Sequence, residues 1–240
     1  MRLPAVCVPG TFCDARLFAP MLDHLDLDAA VLPLAGASVG EAAAAVLAAA
    51  PPRFVAIGFS LGGFVVLELL RQAPARLLGA VLIASHAEPD TRAAAAERAR
   101  QLRLLVEDGS AALIADRWPR YAAARTLPDV RATILAMAAT FTPDDFAAQS
   151  SIAASRPDSR SDGPHDASAR VPLLVIGGDA DLLCPPERGY ATAMQLGGRY
   201  VSIPRAGHLV PLEAPLALAA AIGDWLGVTQ DVTQEALLCG

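Results

Sequence analysis

The sequence predicts an α/β protein with a mainly parallel sheet and an inserted helical segment, and three observations lead to this class. Short apolar runs that suit buried parallel strands alternate with helical stretches over residues 3–84 and again over 171–226. A G-x-S-x-G turn joins one such strand to an apolar helix at residues 58–62. Between the two alternating parts, residues 85–170 show helical stretches and no strand. A chain of 240 residues suits one such domain with one insertion.

The individual elements follow from local patterns. Ser38 and Glu41 fit a capping box that starts a helix, and Pro51 and Pro52 end it. Strands are predicted at residues 3–8, 29–34, 55–57, 78–84, 171–176 and 200–203. Helices are predicted at residues 15–25, 38–50, 61–72, 187–196 and 213–226, and residues 227–240 show no clear pattern.

The G-x-S-x-G turn is the central feature of the chain. Ser60 is predicted to stand at a strained corner between strand and helix, where backbones approach too closely for side chains at Gly58 and Gly62. The corner exposes the Ser60 hydroxyl and places the Leu61 N–H at a helix N-terminus, where unpaired donors favour a developing oxyanion. An ordinary Ser-Gly turn is the alternative interpretation.

The inserted segment is expected to be a helical lid. Four helical stretches are predicted, at residues 91–106, 110–118, 129–140 and 144–155, separated by breaks at 108–109, Pro119, 127–128 and 142–143. Residues 1–85 and 171–240 would form the core, with 86–170 as the lid and a polar return linker at 156–169. Such a lid shapes a pocket and excludes water from it.

Composition excludes several classes of function. Net charge is −6 and the pI is near 5.2, which argues against nucleic acid as a partner. No apolar run suits a membrane span, and no signal peptide is apparent, so the cytoplasm is the expected compartment. Four dispersed cysteines indicate neither a disulfide framework nor a zinc site, and we expect no cofactor and no metal.

Three reactive side chains stand in predicted loops after strands, in the order Ser60, Asp181, His208. A serine hydroxyl is a weak nucleophile until an imidazole takes its proton, and the imidazole needs a carboxylate to fix its tautomer. Thr11, in the loop after the first strand, is the candidate for a second oxyanion donor beside Leu61. His86, at the lid boundary, is a possible substrate contact, whereas His24 and His165 are expected to be structural or solvated.

These motifs resemble the α/β-hydrolase superfamily, and more narrowly its compact, lid-bearing, esterase-like members. The resemblance covers residues 3–227 and rests on GFSLGG after a strand, GGDADLLCPP, and AGHLVPLEAP before a terminal helix. It implies a mainly parallel sheet with helices on both faces. The family pattern G-x-x-D-x-x-x-P, counted from Gly178, selects Asp181 over Asp179. One departure is Pro9-Gly10 in place of the family's His-Gly pair, in the loop that carries Thr11.

The leading hypothesis is a serine hydrolase that cleaves a carboxylic ester, thioester or lactone. Ser60 would be the nucleophile, His208 the base and Asp181 the orienting acid. The substrate would be a small acyl compound, with a mostly apolar acyl part suggested by the apolar residues of the lid. Two alternatives stay open: a lyase, cyclase or C–C bond hydrolase that uses the same triad, and a non-catalytic binding protein on the same fold.

Overall fold

The computed structural model describes residues 2–124, 126–161 and 171–238 of the chain, with side chains described through residue 227. Its centre is a six-stranded parallel sheet in the order β2-β1-β3-β4-β5-β6. The strands are β1 Leu3–Val8, β2 Leu27–Val31, β3 Phe54–Phe59, β4 Leu77–Ile83, β5 Leu173–Gly178 and β6 Arg199–Ile203. The predicted fold class is therefore confirmed.

Helices cover both faces of the sheet because the central strands are apolar on both sides. Every residue of β3 and β5 is buried, as expected for strands covered twice. Helices α2, α3 and α7 pack on one face, and α1, α8 and α9 pack on the other. Their bounds are α1 Ala15–Leu22, α2 Val39–Ala49, α3 Leu61–Gln72, α7 Pro186–Leu196, α8 Val210–Glu213 and α9 Pro215–Leu238.

The predicted insertion lies between β4 and β5 and contains three helices in its described part: α4 Arg92–Tyr121, α5 Pro128–Ala138 and α6 Pro143–Ala154. Helix α4 bends at Gly109, whose φ of 84° and ψ of 176° are not helical, so this predicted break is present. The predicted break at Pro119 is wrong, since α4 continues to Tyr121. Pro119 has no N–H to donate to the Ala115 carbonyl, and the helix continues for only two residues beyond it. Part of the predicted linker, with His165, lies outside the described residues.

Other differences lie at element ends. Strand β2 begins at Leu27, opposite Leu3 of β1, and ends before Pro33, which has no N–H for the ladder. Helix α1 ends at Leu22 rather than residue 25. The predicted end of the last helix at residue 226 is wrong, because α9 continues to Leu238 through a stretch without proline that had shown no clear pattern. The predicted capping box is present in part: Ser38 Oγ accepts a hydrogen bond from the N–H of Glu41, whereas Glu41 Oε2 accepts from the N–H of Ala37.

None of the helices in the described part of the chain has the length and apolarity needed to cross a membrane.

Candidate active site

Ser60 occupies the corner between β3 and α3 in a strained conformation, with φ 50° and ψ −109°. A non-glycine residue in this region is unfavourable by about 1–3 kcal/mol and persists only when its surroundings hold it there. The corner is held by a hydrogen bond of 2.9 Å from the Ser60 N–H to the carbonyl of Ile83 in β4. The position therefore has the geometry that the G-x-S-x-G motif predicts.

Two glycines of the motif allow the backbones to approach. A Cβ added at Gly62 would lie 2.0 Å from the carbonyl oxygen of Val8, and one at Gly58 would lie 2.4 Å from that of Gly62. Both contacts are with backbone atoms, so no side-chain rotation would relieve them. The tight approach places the N-terminus of α3 directly beside the end of β1.

Ser60, His208 and Asp181 form a continuous hydrogen-bonded chain. The Nε2 atom of His208 lies 3.1 Å from Ser60 Oγ, and its Nδ1 atom lies 2.8 Å from Asp181 Oδ2. A carboxylate can only accept, so Nδ1 carries the proton and Nε2 is free to accept from the serine hydroxyl. The structure thus brings together the three residues that the sequence selected.

Asp181 is fixed by backbone groups as well as by the histidine. It is 1% exposed, and its Oδ1 atom accepts hydrogen bonds of 2.8 Å from the N–H groups of Leu183 and Cys184. Asp179 serves a different purpose: it is exposed, and its Oδ1 atom accepts from the N–H of Arg205. Of the two carboxylates left open by the sequence, Asp181 is the one in contact with His208.

His208 is held in place by the insertion. Its backbone N–H donates to the carbonyl of Tyr121 at 2.8 Å, and the Tyr121 ring stacks on the imidazole at 5.5 Å between centroids. On another side the ring of Phe59 lies 5.2 Å away. The imidazole is 3% exposed, so these contacts leave it little freedom to rotate. No pattern in the sequence indicated a role for Tyr121, which is the last residue of α4.

The two predicted oxyanion donors border the same cavity as Ser60 and His208. Leu61 is the first residue of α3, so its N–H has no partner within the helix. Within the described chain, the N–H groups of Leu61 and Thr11 form no hydrogen bond. Neither group is therefore occupied by an acceptor from the described part of the chain.

A neighbouring N–H is used to fix the loop that carries Thr11. Phe12 has a φ of 60°, and its N–H donates to the side-chain Oε1 of Gln149 in α6 at 3.2 Å. The Phe12 ring stacks on Phe146 of the same helix at 5.1 Å. Gln149 is buried, which makes its amide a fixed acceptor. No pattern in the sequence indicated this role for Gln149.

The cavity above Ser60 has a volume of about 700 Å³. Apolar side chains near the serine include Leu61, Phe64 and Leu183. A second cavity, of about 360 Å³, lies beside α6 and does not include the triad residues. The larger cavity is also bordered by arginines of the insertion and of α7, namely Arg98, Arg100, Arg117, Arg120, Arg156 and Arg188.

His86 also borders this cavity, as the sequence had suggested. Its Nδ1 atom accepts a hydrogen bond from the N–H of Glu88 at 3.2 Å, which leaves the proton of the neutral ring on Nε2. Burial, together with the positive charges of Arg188 and Arg156, lowers the pKa of His86 to about 3. The residue is therefore a neutral hydrogen-bond donor at neutral pH.

The chain is similar to known proteins in its sequence and in its fold. A model of the alpha/beta hydrolase family matches residues 5–221. An esterase from Thermogutta terrifontis, solved with malate bound, has a TM-score of 0.82 and 28% identity, over 95% of this chain and 90% of that one. An enol-lactonase from Burkholderia xenovorans LB400 has a TM-score of 0.81 and 23% identity, over 95% and 92% of the two chains. No curated protein matches the chain.

Proposed function

The chain belongs to the alpha/beta hydrolase family, and from that membership we propose that it is a serine hydrolase that cleaves a carboxylic ester, thioester or lactone. The observation that carries the proposal is the chain of contacts from Ser60 Oγ to His208 Nε2 at 3.1 Å and from His208 Nδ1 to Asp181 Oδ2 at 2.8 Å. The similarity to an esterase at 28% identity supports the choice of an ester.

In the first half of the reaction, Ser60 Oγ attacks the acyl carbon while its proton passes to His208 Nε2. The tetrahedral intermediate carries a negative oxygen, which the N–H groups of Leu61 and Thr11 stabilise. Collapse breaks the bond between the acyl carbon and the leaving oxygen or sulfur atom. The leaving group takes the proton from His208, and the acyl group remains on Ser60. An ester or thioester releases an alcohol or thiol at this step, whereas the alcohol of an opened lactone stays attached to the acyl group.

In the second half, a water molecule attacks the acyl carbon and gives its proton to His208 Nε2. The second intermediate collapses, Ser60 Oγ recovers the proton from His208, and the carboxylic acid leaves. Asp181 stays ionised throughout and stabilises the imidazolium through Nδ1. The groups named here suffice for both halves without a cofactor.

The insertion would act as the lid of this site. Helix α4 contacts His208 through Tyr121 and also borders the cavity, and helix α6 contacts the loop that carries Thr11 through Gln149. The apolar side chains near Ser60 suit the carbons of a small acyl substrate, in line with the expectation from sequence. Closing a cavity over the reacting atoms strengthens the interactions of the oxyanion with its donors.

The proposal is tested by hydrolysis of p-nitrophenyl acetate, butyrate and octanoate by the wild type, Ser60→Ala and His208→Ala. A fluorophosphonate probe is applied in parallel, and its mass shift is mapped by peptide. We expect turnover in the wild type, loss of at least about a thousandfold in kcat in both variants, and labelling at Ser60. Labelling without turnover of any ester, thioester or lactone would favour the lyase, cyclase or C–C hydrolase alternative. Neither labelling nor turnover would favour a binding protein.

A further inference from the structure

The cavity above Ser60 has a positive charge that the chain as a whole lacks. Net charge is −6, yet six arginines of the described chain border this one cavity. The carboxylates that pair with them are Asp90, Glu88, Glu97 and Asp116, which leaves an excess of two positive charges. A cleft lined with one sign of charge concentrates ligands of the opposite sign.

Four of the six arginines are neutralised by their neighbours. Arg98 and Arg156 share Asp90, with N–O distances of 2.5 and 3.1 Å. Arg188 pairs with Glu88 at 2.5 Å, and Arg100 bridges Glu97 and Asp116. These ion pairs join parts of the insertion to each other and to the core. The charges of the four arginines are therefore compensated without a bound anion.

Arg117 differs from these four because it forms no ion pair with a carboxylate of the described chain. Its guanidinium lies against three aromatic rings, at 5.6 Å from the centroid of Phe12, 5.4 Å from that of Tyr121 and 5.5 Å from that of Phe146. It also donates to the hydroxyl of Tyr121 at 2.6 Å and to the side-chain oxygen of Gln101. The group is thus fixed in position, half-buried and without a countercharge.

The position of Arg117 relates it to the reacting atoms. Arg117 contacts the ring of Tyr121, which stacks on His208. It also contacts the ring of Phe12, the residue that follows Thr11 in the chain. An acyl group bonded to Ser60, with its oxygen at Leu61 and Thr11, would extend into the same cavity that Arg117 borders. A rigid guanidinium binds a carboxylate through two parallel hydrogen bonds more readily than it binds a neutral group.

We propose that the substrate carries a carboxylate at the end of its acyl part, remote from the bond that is cleaved, and that Arg117 binds this carboxylate. The substrate class is a monoester or thioester of a dicarboxylic acid, or a lactone that bears a carboxylate. The carbons between the two ends would lie against the apolar residues near Ser60. This inference rests on the proposed function. It adds one contact to the proposed acyl-enzyme, between Arg117 and the remote carboxylate of the acyl group.

The first experiment compares monomethyl esters of succinic, glutaric and adipic acids with methyl butyrate, methyl valerate and methyl hexanoate, by release of acid in a pH-stat. We expect kcat/KM to favour at least one acidic ester over its neutral partner by about tenfold or more. Arg117→Gln should remove that preference, Arg117→Lys should restore part of it, and Arg103→Gln should retain it. Arg103 is an exposed residue of the same helix that does not border the cavity.

The second experiment measures binding without catalysis, by titration calorimetry of Ser60→Ala with glutarate and with its neutral diamide. Glutarate should bind more tightly than the diamide, and Arg117→Gln in the same background should abolish the difference. Turnover of acidic and neutral esters at equal rates, with no preference for glutarate, overturns the inference and leaves the hydrolase proposal intact. Arg117-dependent binding of glutarate without turnover of any ester supports this anion site and overturns the hydrolase proposal.

Discussion

Gln149 Oε1 accepts a hydrogen bond of 3.2 Å from the N–H of Phe12, and this contact joins helix α6 of the insertion to the loop that carries Thr11. Phe12 has a positive φ, so its conformation depends on surrounding contacts. The Phe12 N–H belongs to the peptide group next to the one that carries the Thr11 N–H, so fixing it limits how this part of the loop can rotate. The loop that carries the predicted oxyanion donor at Thr11 is therefore held in part by Gln149, which lies 137 positions after Phe12 in the chain.

Replacing Gln149 by leucine should lower kcat by about tenfold, with KM changed by less than about twofold, because the donor at Thr11 acts mainly in the transition state. Steady-state kinetics with p-nitrophenyl butyrate measures this split. The matched control is Gln195→Leu, at an exposed position of α7. An equal loss of kcat in both variants, or a rise in KM alone, would contradict a positioning role for Gln149.

Replacing Asp181 by asparagine should lower kcat by about a thousandfold or more, because the amide can donate to Nδ1 and so favours the wrong tautomer of His208. Asp179→Asn is the matched control, since Asp179 contacts the Arg205 N–H and not the histidine. We expect its kcat to stay within about twofold of the wild type. A larger loss in Asp179→Asn than in Asp181→Asn would overturn the assignment of the acid.

Replacing Gly62 by alanine should destabilise the fold by about 3 kcal/mol or more, because the new Cβ would overlap the carbonyl of Val8. Urea unfolding followed by circular dichroism measures the change. The control is Gly227→Ala, where a Cβ meets no atom within 4 Å and the residue lies inside helix α9. That variant should gain about 0.5–1 kcal/mol. Equal stabilities of the two variants would show that the close approach at Gly62 is not required.

The buried His86 should make stability depend on pH below neutrality. Its pKa is about 3 in the folded chain, against an ordinary value near 6.5, so between these values the unfolded chain binds more protons. Stability is then lost as pH falls through this window, by about 2 kcal/mol at pH 5. In His86→Asn, whose side-chain oxygen can still accept from the Glu88 N–H, this loss should be absent.

The measurement is the free energy of unfolding at pH 7, 6 and 5, by urea titration, for the wild type, His86→Asn and His24→Asn. His24 is exposed, so its replacement should leave the slope with pH unchanged. If His86→Asn has the same slope as the wild type, the acid sensitivity arises from other groups. If His24→Asn removes the slope, the surface histidine is responsible.

Local patterns were sufficient for the sheet, the corner at Ser60 and the choice of His208. Strand burial and glycine spacing are properties of short segments, and the order of Ser60, Asp181 and His208 is read directly from the chain. The ends of β2 and α9 were misjudged because pairing with β1 and helix continuation depend on more than local apolarity. The residues that hold the site in place could not be predicted from the sequence. Tyr121, Gln149 and Arg117 act through contacts between segments far apart in the chain, and each residue type is common in helices for other reasons.

The hydrogen bond from the His208 N–H to the Tyr121 carbonyl has a consequence for how this fold can diversify. A segment inserted between two strands looks like a unit that recombination could exchange to obtain new substrate preferences. Here the same segment supplies the backbone acceptor and the ring that hold the imidazole. A transplanted insertion that lacked an equivalent of Tyr121 would carry its own preferences into a host whose base is no longer anchored. The insertion of this chain is therefore not exchangeable as a whole, because Tyr121 at the end of α4 belongs to the support of His208.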